Sequence, residues 1–192
     1  MSVIQSTLTQ FCDQMFSSLQ GGKDEHRATL FVHRRFAFWR TLPWWMDRHP
    51  WSGWLVPVVR SGHATQSVRS RFLAPDKAAK CEGIAGITWR QRATQTVTGL
   101  PALSNTSPPS DLEAYCRKTN TLMYWLQARL KAGEVPPCAL RGIPIEVDNK
   151  LWGVIVLDSK EPFPFGVDRT GQGHLTRMFS FTISKLLERA RV

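Results

Sequence analysis

The stretch LRGIPIEVDNKLWGVIVLD, residues 140–158, carries the strongest structural signal in this chain. Isoleucine and valine alternate with Gly, Pro and Glu over residues 142–147, and this period of two is typical of a half-buried strand. Residues 151–157 are apolar at six of seven positions, which predicts a central strand covered on both faces. Asp148 and Asn149 tolerate the left-handed backbone of a tight turn, so the stretch predicts a β-hairpin inside a sheet.

A second segment, residues 82–97, begins with Gly83 and Gly86 in a Gly-x-x-Gly pattern and continues as a short helix and a strand. Together with the hairpin and the order of elements along the chain, this segment resembles the GAF domains, a family of small sensor modules. The resemblance implies a GAF-like, PAS-like α+β fold. It would have a central antiparallel sheet of five or six strands, terminal helices on one face and a variable helical lid on the other.

The length of 192 residues suits one domain. We expect a single GAF-like domain over residues 1–192, with an N-terminal helix in 1–22, the sheet core and lid in 23–169, and a C-terminal helix in 170–192. Apolar residues recur at helical spacing in both terminal segments. The resemblance implies that these helices pair with a second subunit in a homodimer, and packing within one chain is an equally weighted alternative.

Two more strands are predicted at residues 27–38 and 54–60 from their apolar patterns. The sequence from Ser110 to Glu113 has the capping-box pattern, which predicts the start of one helix that ends near Gly133. The resemblance makes this helix the lid of a ligand pocket.

The net charge of +10 is unevenly distributed. Residues 26–72 contain eight Lys or Arg and a single acid, Asp47, which favours an anionic partner. A solvated basic face that only maintains solubility explains the charge equally well. Five of the eight tryptophans lie within residues 38–54, where they could cover the core, form a protein interface, stack on bases or enter a membrane interface.

Catalytic signatures are lacking in the sequence. It contains no Walker A loop, no Gly-x-Ser-x-Gly elbow and no pair of histidines at helical i,i+4 spacing. The four cysteines form no metal-type pair, and no signal peptide or membrane span is predicted. We therefore expect a cytoplasmic protein that is not an enzyme and has no catalytic residues, metal or cofactor. Of the histidines, only His33 is expected to line a fold interior, and it is expected to be a surface or hydrogen-bonded residue and not a ligand.

Three GAF subfamilies can be compared directly. Phytochromes resemble the phrase VDNKLWG, but they attach a chromophore to a Cys followed by His, whereas Cys116 here precedes Arg117. Free-methionine sulfoxide reductases place a Cys where this chain has GIAG, although Cys81 and Cys138 leave a related thiol enzyme as an alternative. The Asn-Lys-x-Phe-Asp-Glu signature of cyclic-nucleotide phosphodiesterases is absent.

The resemblance places a pocket under the short helix and the lid, on the sheet face opposite the terminal helices. Arginine holds carboxylate or phosphate with two parallel hydrogen bonds, and an indole can stack on a ring. The candidate ligand-binding residues are Trp89, Arg90, Arg92, Tyr115, Trp125 and Arg141. An ordinary core position for Tyr115 and solvent exposure of the arginines are the alternatives.

These features predict a regulatory domain that senses a small anionic, for example nucleotide-like, molecule through a dimer, with a protein partner carrying the output. One alternative is an interaction module that docks a protein, nucleic acid or membrane surface through residues 26–72. The other is a thiol enzyme similar to free-methionine sulfoxide reductase.

Overall fold

The computed structural model describes residues 3–17, 25–37, 49–62, 70–75, 80–165 and 170–189. The elements are α1 (Val3–Met15), β1 (His26–Arg34), β2 (Trp54–Arg60), β3 (Phe72–Leu73), α2 (Gly83–Gln91), β4 (Gln95–Val97), α3 (Pro109–Thr119), α4 (Met123–Lys131), β5 (Ala139–Val147), β6 (Lys150–Ser159) and α5 (Thr170–Arg189). The strands form one antiparallel sheet in the order β3-β2-β1-β6-β5-β4. The predicted α+β class and antiparallel sheet are confirmed.

The predicted hairpin is formed by β5 and β6. Asp148 and Asn149 have φ angles of 52° and 58°, as a two-residue turn of the primed type requires. Strand β6 lies between β1 and β5, and its residues 153–157 are buried. The apolar run of β6 therefore marks a central strand, as the sequence predicts.

Each face of the sheet has its own apolar core, and successive residues of β6 contribute alternately to one core and to the other. Ile155 and Leu157 belong to the cluster with α1 and α5, whereas Val154 and Val156 belong to the cluster with α2, α3 and α4. The two terminal helices pack on each other, with the rings of Phe11 and Phe179 stacked at 4.8 Å. The terminal helices and the lid thus lie on opposite faces, in the predicted arrangement.

The lid differs from the sequence prediction because it contains two helices instead of one. Helix α3 ends at Thr119, and its C-cap Asn120 has a left-handed φ of 54° and an N–H that bonds to the carbonyl of Cys116. The predicted capping box is also not formed, since the N-cap is Pro108 and no side chain caps the helix. Pro109 begins the helix instead, because a proline at the first position has the required φ and leaves no N–H unsatisfied.

Most of the tryptophan-rich segment, residues 38–48, lies outside the described residues. Of its tryptophans, Trp54 is buried and donates its indole N–H to the carbonyl of His49 at 3.0 Å, whereas Trp51 is 69% exposed. Among the described helices, none combines the length and the apolar character that crossing a membrane requires.

Candidate ligand-binding site

A cavity of about 90 Å³ lies between the sheet and the lid, on the face opposite the terminal helices. Helices α2, α3 and α4 contribute to its walls, together with strands β1, β2, β3, β5 and β6. Its apolar wall includes Phe31, Phe72, Ile84, Trp125, Leu126 and Val156. Its polar lining includes Arg27, Thr29, Arg60, Arg129 and Asp158. The cavity is therefore amphipathic, with charged and apolar walls.

Strand register places the charged residues at one end of this cavity. Side chains alternate across a strand, so Arg27, Thr29 and Phe31 of β1 all face the lid. Arg27 pairs in register with Asp158 of β6, and Thr29 pairs with Arg60 of β2. Phe31 lies further along β1, toward the apolar wall. The polar end therefore sits at the start of β1, and the apolar end follows along the strand.

The charges at this end are only partly paired. Nε of Arg27 lies 2.7 Å from Oδ1 of Asp158, and Nε of Arg129 lies 2.7 Å from Oε2 of Glu134. Arg60 forms no ion pair with a described residue, and its Nε is buried without a hydrogen-bond partner. Three arginines and two carboxylates give this cluster a net charge of +1, and Arg60 is the member that lacks an ion-pair partner among the described residues.

Arg60 pays a desolvation penalty for this position. Burial lowers the pKa of its guanidinium from the usual value, and the nearby charge of Arg27 lowers that pKa further, whereas the Asp158 carboxylate opposes the shift. An arginine stays protonated in proteins, so the group remains a cation with an unsatisfied donor. Buried polar atoms are normally hydrogen-bonded to protein or to ordered water, so the Nε of this half-buried side chain is a donor available to water or to a ligand.

Two of the sequence-predicted residues, Tyr115 and Trp125, line the cavity. The Tyr115 hydroxyl donates to the carbonyl of Pro137 at 3.2 Å, and burial raises its pKa, so it is a neutral wall residue. The Trp125 ring packs edge-on against Phe72, with ring centroids 6.0 Å apart. The guanidinium carbon of Arg129 lies over the Trp125 ring, 5.7 Å from its centroid. These residues shape the cavity without adding charge to it.

The other four predicted residues do not line the cavity. Trp89 is buried against the ring of His33 at 4.0 Å, whereas Arg90 and Arg92 are exposed, with Arg92 at the C-cap of α2. Arg141 follows Leu140, which lines the cavity, so its side chain lies on the opposite face of β5. There its Nε donates to the hydroxyl of Thr96 at 3.0 Å. The structure therefore does not bring Arg141 together with Tyr115 and Trp125.

Sequence reasoning missed three residues, Arg27, Arg60 and Asp158. The signal was present as the basic excess of residues 26–72 and as the alternation of β1. Choosing Arg60 among the eight basic residues of that region requires the register of β1 and β2, which the sequence does not show.

Two histidines have hydrogen-bond partners in the structure, and the sequence prediction named only His33 and missed His26. His33 is half-buried, with Nε2 2.9 Å from the carbonyl of Ala74, in agreement with the predicted hydrogen-bonded role. His26 is more buried, at 7% exposure, with Nδ1 2.9 Å from the Ser159 hydroxyl and its ring stacked on Phe16. Strand β1 begins at His26, so this side chain joins the face that contacts the terminal helices.

The cysteines are poorly suited to act as nucleophiles. Burial raises the pKa of Cys12 to about 11 and raises the pKa of Cys81, Cys116 and Cys138. A thiol with a raised pKa is rarely ionised at neutral pH, and the thiolate is the reactive species. None of the four is among the residues that line the cavity.

No family model matches the chain, and no curated protein is similar enough in sequence to count as a relative. Solved structures do match. One is the GAF domain of a phosphoenolpyruvate-protein phosphotransferase from Coxiella burnetii, with 15% identity and a TM-score of 0.54, covering 98% of this chain and 84% of that one. Another is the type II free methionine-R-sulfoxide reductase from Thermoplasma acidophilum, with 9% identity and a TM-score of 0.51, covering 97% of this chain and 92% of that one. At such identity the similarity concerns the fold and not the activity. The chain therefore has a GAF-like fold.

Proposed function

We propose that this domain is a regulatory module that binds a small anionic molecule in the cavity between the sheet and the lid. The observation that carries the proposal is Arg60, whose buried Nε has no hydrogen-bond partner and whose guanidinium forms no ion pair within the described residues. An anion held by this guanidinium would satisfy both deficits at once, through a charge-assisted hydrogen bond.

The size of the cavity limits the ligand. One water needs about 10–15 Å³ of cavity volume. The cavity of about 90 Å³ therefore has room for on the order of six to nine water-sized positions. Pockets that bind drug-sized ligands have volumes of roughly 300–1,000 Å³. The cavity therefore favours a ligand much smaller than the nucleotide-like molecule that the sequence suggested.

We favour binding over catalysis because the cavity lining contains no thiol and its one carboxylate, Asp158, is paired with Arg27. The thiols and the Tyr115 hydroxyl are held in their protonated forms by burial, which raises the pKa of each. The arginines can stabilise an anion but are poor proton donors or acceptors at neutral pH. The thiol-enzyme alternative would require Cys81 or Cys138 to ionise despite this environment.

We further propose that the output involves a second copy of the chain, docked on α5. Met178 and Phe181 of this helix are 45% and 64% exposed, and their i,i+3 spacing places them on one surface. A ligand could shift a dimer only as far as its affinity differs between two arrangements. Phe181→Glu should lower the dimer fraction in sedimentation experiments. A wild-type protein that sediments as a monomer with and without ligand would contradict this part of the proposal.

The central test is calorimetric titration of the wild type with small organic and inorganic anions. Arg60→Gln should weaken the best ligand by roughly ten- to hundredfold, because a hydrogen bond to a charged group contributes about 1.5–3 kcal/mol. Arg35→Gln, at an exposed position outside the cavity, is the matched control and should bind normally. Failure of every small anion to bind the wild type, or unchanged binding by Arg60→Gln, would overturn the proposal.

A second candidate function, docking on an anionic surface, is favoured by one observation. Phe36 and Trp51 are 54% and 69% exposed, and their neighbours Ala37 and Pro50 are joined by a backbone hydrogen bond from the Ala37 N–H to the Pro50 carbonyl. Exposed aromatic residues beside basic ones suit a membrane interface or nucleic acid. Binding to anionic vesicles and to single-stranded DNA, each measured over a salt series, would separate these surfaces, and Trp51→Ala should weaken whichever interaction exists.

A further inference from the structure

We propose that the cavity takes a monocarboxylate with a short apolar chain, and that Asp158 restricts the ligand to a single negative charge. This inference rests on the proposed function, because it assigns a chemical class to the ligand of the same cavity.

The charges at the polar end favour one negative charge. Asp158 already neutralises Arg27 at 2.7 Å, and both side chains are largely withdrawn from water, with 14% and 28% exposure. Glu134 pairs with Arg129 at 2.7 Å, so Arg60 is the arginine of the cavity lining that has no ion-pair partner among the described residues. A second negative charge on the ligand would lack a partner and would be repelled by the Asp158 carboxylate.

The apolar end favours a chain attached to that charge. Thr29 pairs in register with Arg60, whereas Phe31 lies two residues further along β1 and faces Phe72, with ring centroids 5.4 Å apart. A carboxylate at Arg60 would direct its chain along β1 toward this aromatic wall. Each methylene buried there should strengthen binding about fourfold. A bare inorganic anion would occupy the polar end and leave the apolar wall without contacts.

The guanidinium favours a carboxylate over other small monoanions. A carboxylate is planar and accepts two parallel N–H bonds from the fork of an arginine. It also carries a carbon chain from the atom opposite its two oxygens, so one molecule reaches both ends of the cavity. Butyrate, with six non-hydrogen atoms, lies within the range of roughly six to nine positions that the cavity volume allows.

The experiment compares four ligands by calorimetry: butyrate, its neutral isostere butyramide, formate, and the dianion succinate. The wild type should bind butyrate at least about tenfold more tightly than formate, and should bind butyramide and succinate more weakly than butyrate. Asp158→Asn releases Arg27, so the ratio of succinate to butyrate affinity should rise by roughly tenfold. Arg60→Gln should lose butyrate binding.

The outcomes separate this inference from the proposed function. If the wild type prefers succinate or formate and Arg60→Gln loses that binding, the sensor proposal stands and the monocarboxylate assignment fails. If no small anion binds the wild type, both fail. An unchanged succinate-to-butyrate ratio in a folded Asp158→Asn protein would overturn the role of Asp158. The wild-type series tests the preference for one charge even if that variant does not fold.

Discussion

Arg27 and Asp158 face each other across the two central strands β1 and β6, and their side chains form an ion pair with an Nε–Oδ1 distance of 2.7 Å. The pair is more withdrawn from water than Arg129 and Glu134, since the Glu134 carboxylate is 56% exposed and that of Asp158 only 14%. The same contact thus joins two strands and sets the charge at one end of the cavity. Its loss should affect both stability and ligand preference.

Removing Arg27 should destabilise the fold. Arg27→Met leaves the Asp158 carboxylate largely buried without its ion-pair partner, and we expect a loss of about 1–3 kcal/mol in the free energy of unfolding. Arg129→Met is the matched control, because its partner is well exposed and such pairs contribute less than about 1 kcal/mol. Urea denaturation of both variants measures the difference. Equal losses would show that burial of the Arg27 pair adds nothing.

Two glycines should respond to alanine in opposite directions. In Gly153→Ala the new Cβ would overlap the backbone carbonyl of Phe31 on the neighbouring strand, so β1 and β6 must separate. We expect a loss of roughly 1–3 kcal/mol or more. Gly173 lies inside α5 with open space around it, so Gly173→Ala should stabilise the protein by up to about 1 kcal/mol. Thermal and urea unfolding check both signs, and a tolerated Gly153→Ala would contradict the strand register.

The hairpin was predictable because its chemistry is local. Asp148 and Asn149 specify the turn, and the apolar run of β6 specifies a central position whichever strands flank it. The lid was harder, because the break at Asn120 depends on a single left-handed residue that a helical pattern passes over.

The candidate site was predictable only in part, because it depends on strand register. A shift of one residue moves a side chain to the other face of a sheet, and this separates Arg141 from the cavity that Leu140 lines. Arg60 reaches the cavity through its pairing with Thr29, and the β1–β2 register shifts between Leu30 and Phe31. An irregularity of this kind has no clear signature in the sequence.

His26 should make stability depend on pH in the mildly acidic range. Burial lowers the pKa of this histidine below its usual value of 6.5, so the unfolded chain binds a proton more readily than the folded one. The contribution of neutral His26 to the free energy of unfolding is therefore fully present above the pKa that this histidine has in the unfolded chain, and it is lost as the pH falls below that pKa. His26→Gln should flatten the fall in the free energy of unfolding between about pH 7 and pH 5. An identical slope in the wild type and the variant would show that His26 does not carry it.

Arg60 should show opposite effects on stability and on binding. Its guanidinium is partly buried and forms no ion pair with a described residue, and such a group opposes folding of the ligand-free protein. Arg60→Met keeps a long, flexible side chain, so it should raise the free energy of unfolding without ligand by about 1 kcal/mol. The same variant should no longer be stabilised by the anion that best stabilises the wild type, because a ligand raises the free energy of unfolding only by binding to the folded state.

The comparison requires unfolding curves of wild type and Arg60→Met with and without that anion, at fixed ionic strength. Arg35→Met is the control for removing a cation from an exposed position, and it should change neither curve by more than about 0.5 kcal/mol. If Arg60→Met is less stable than the wild type without ligand, the guanidinium has a structural partner in solution. Its unpaired charge would then no longer point to a ligand, because a residue that stabilises the empty protein needs no anion to account for it.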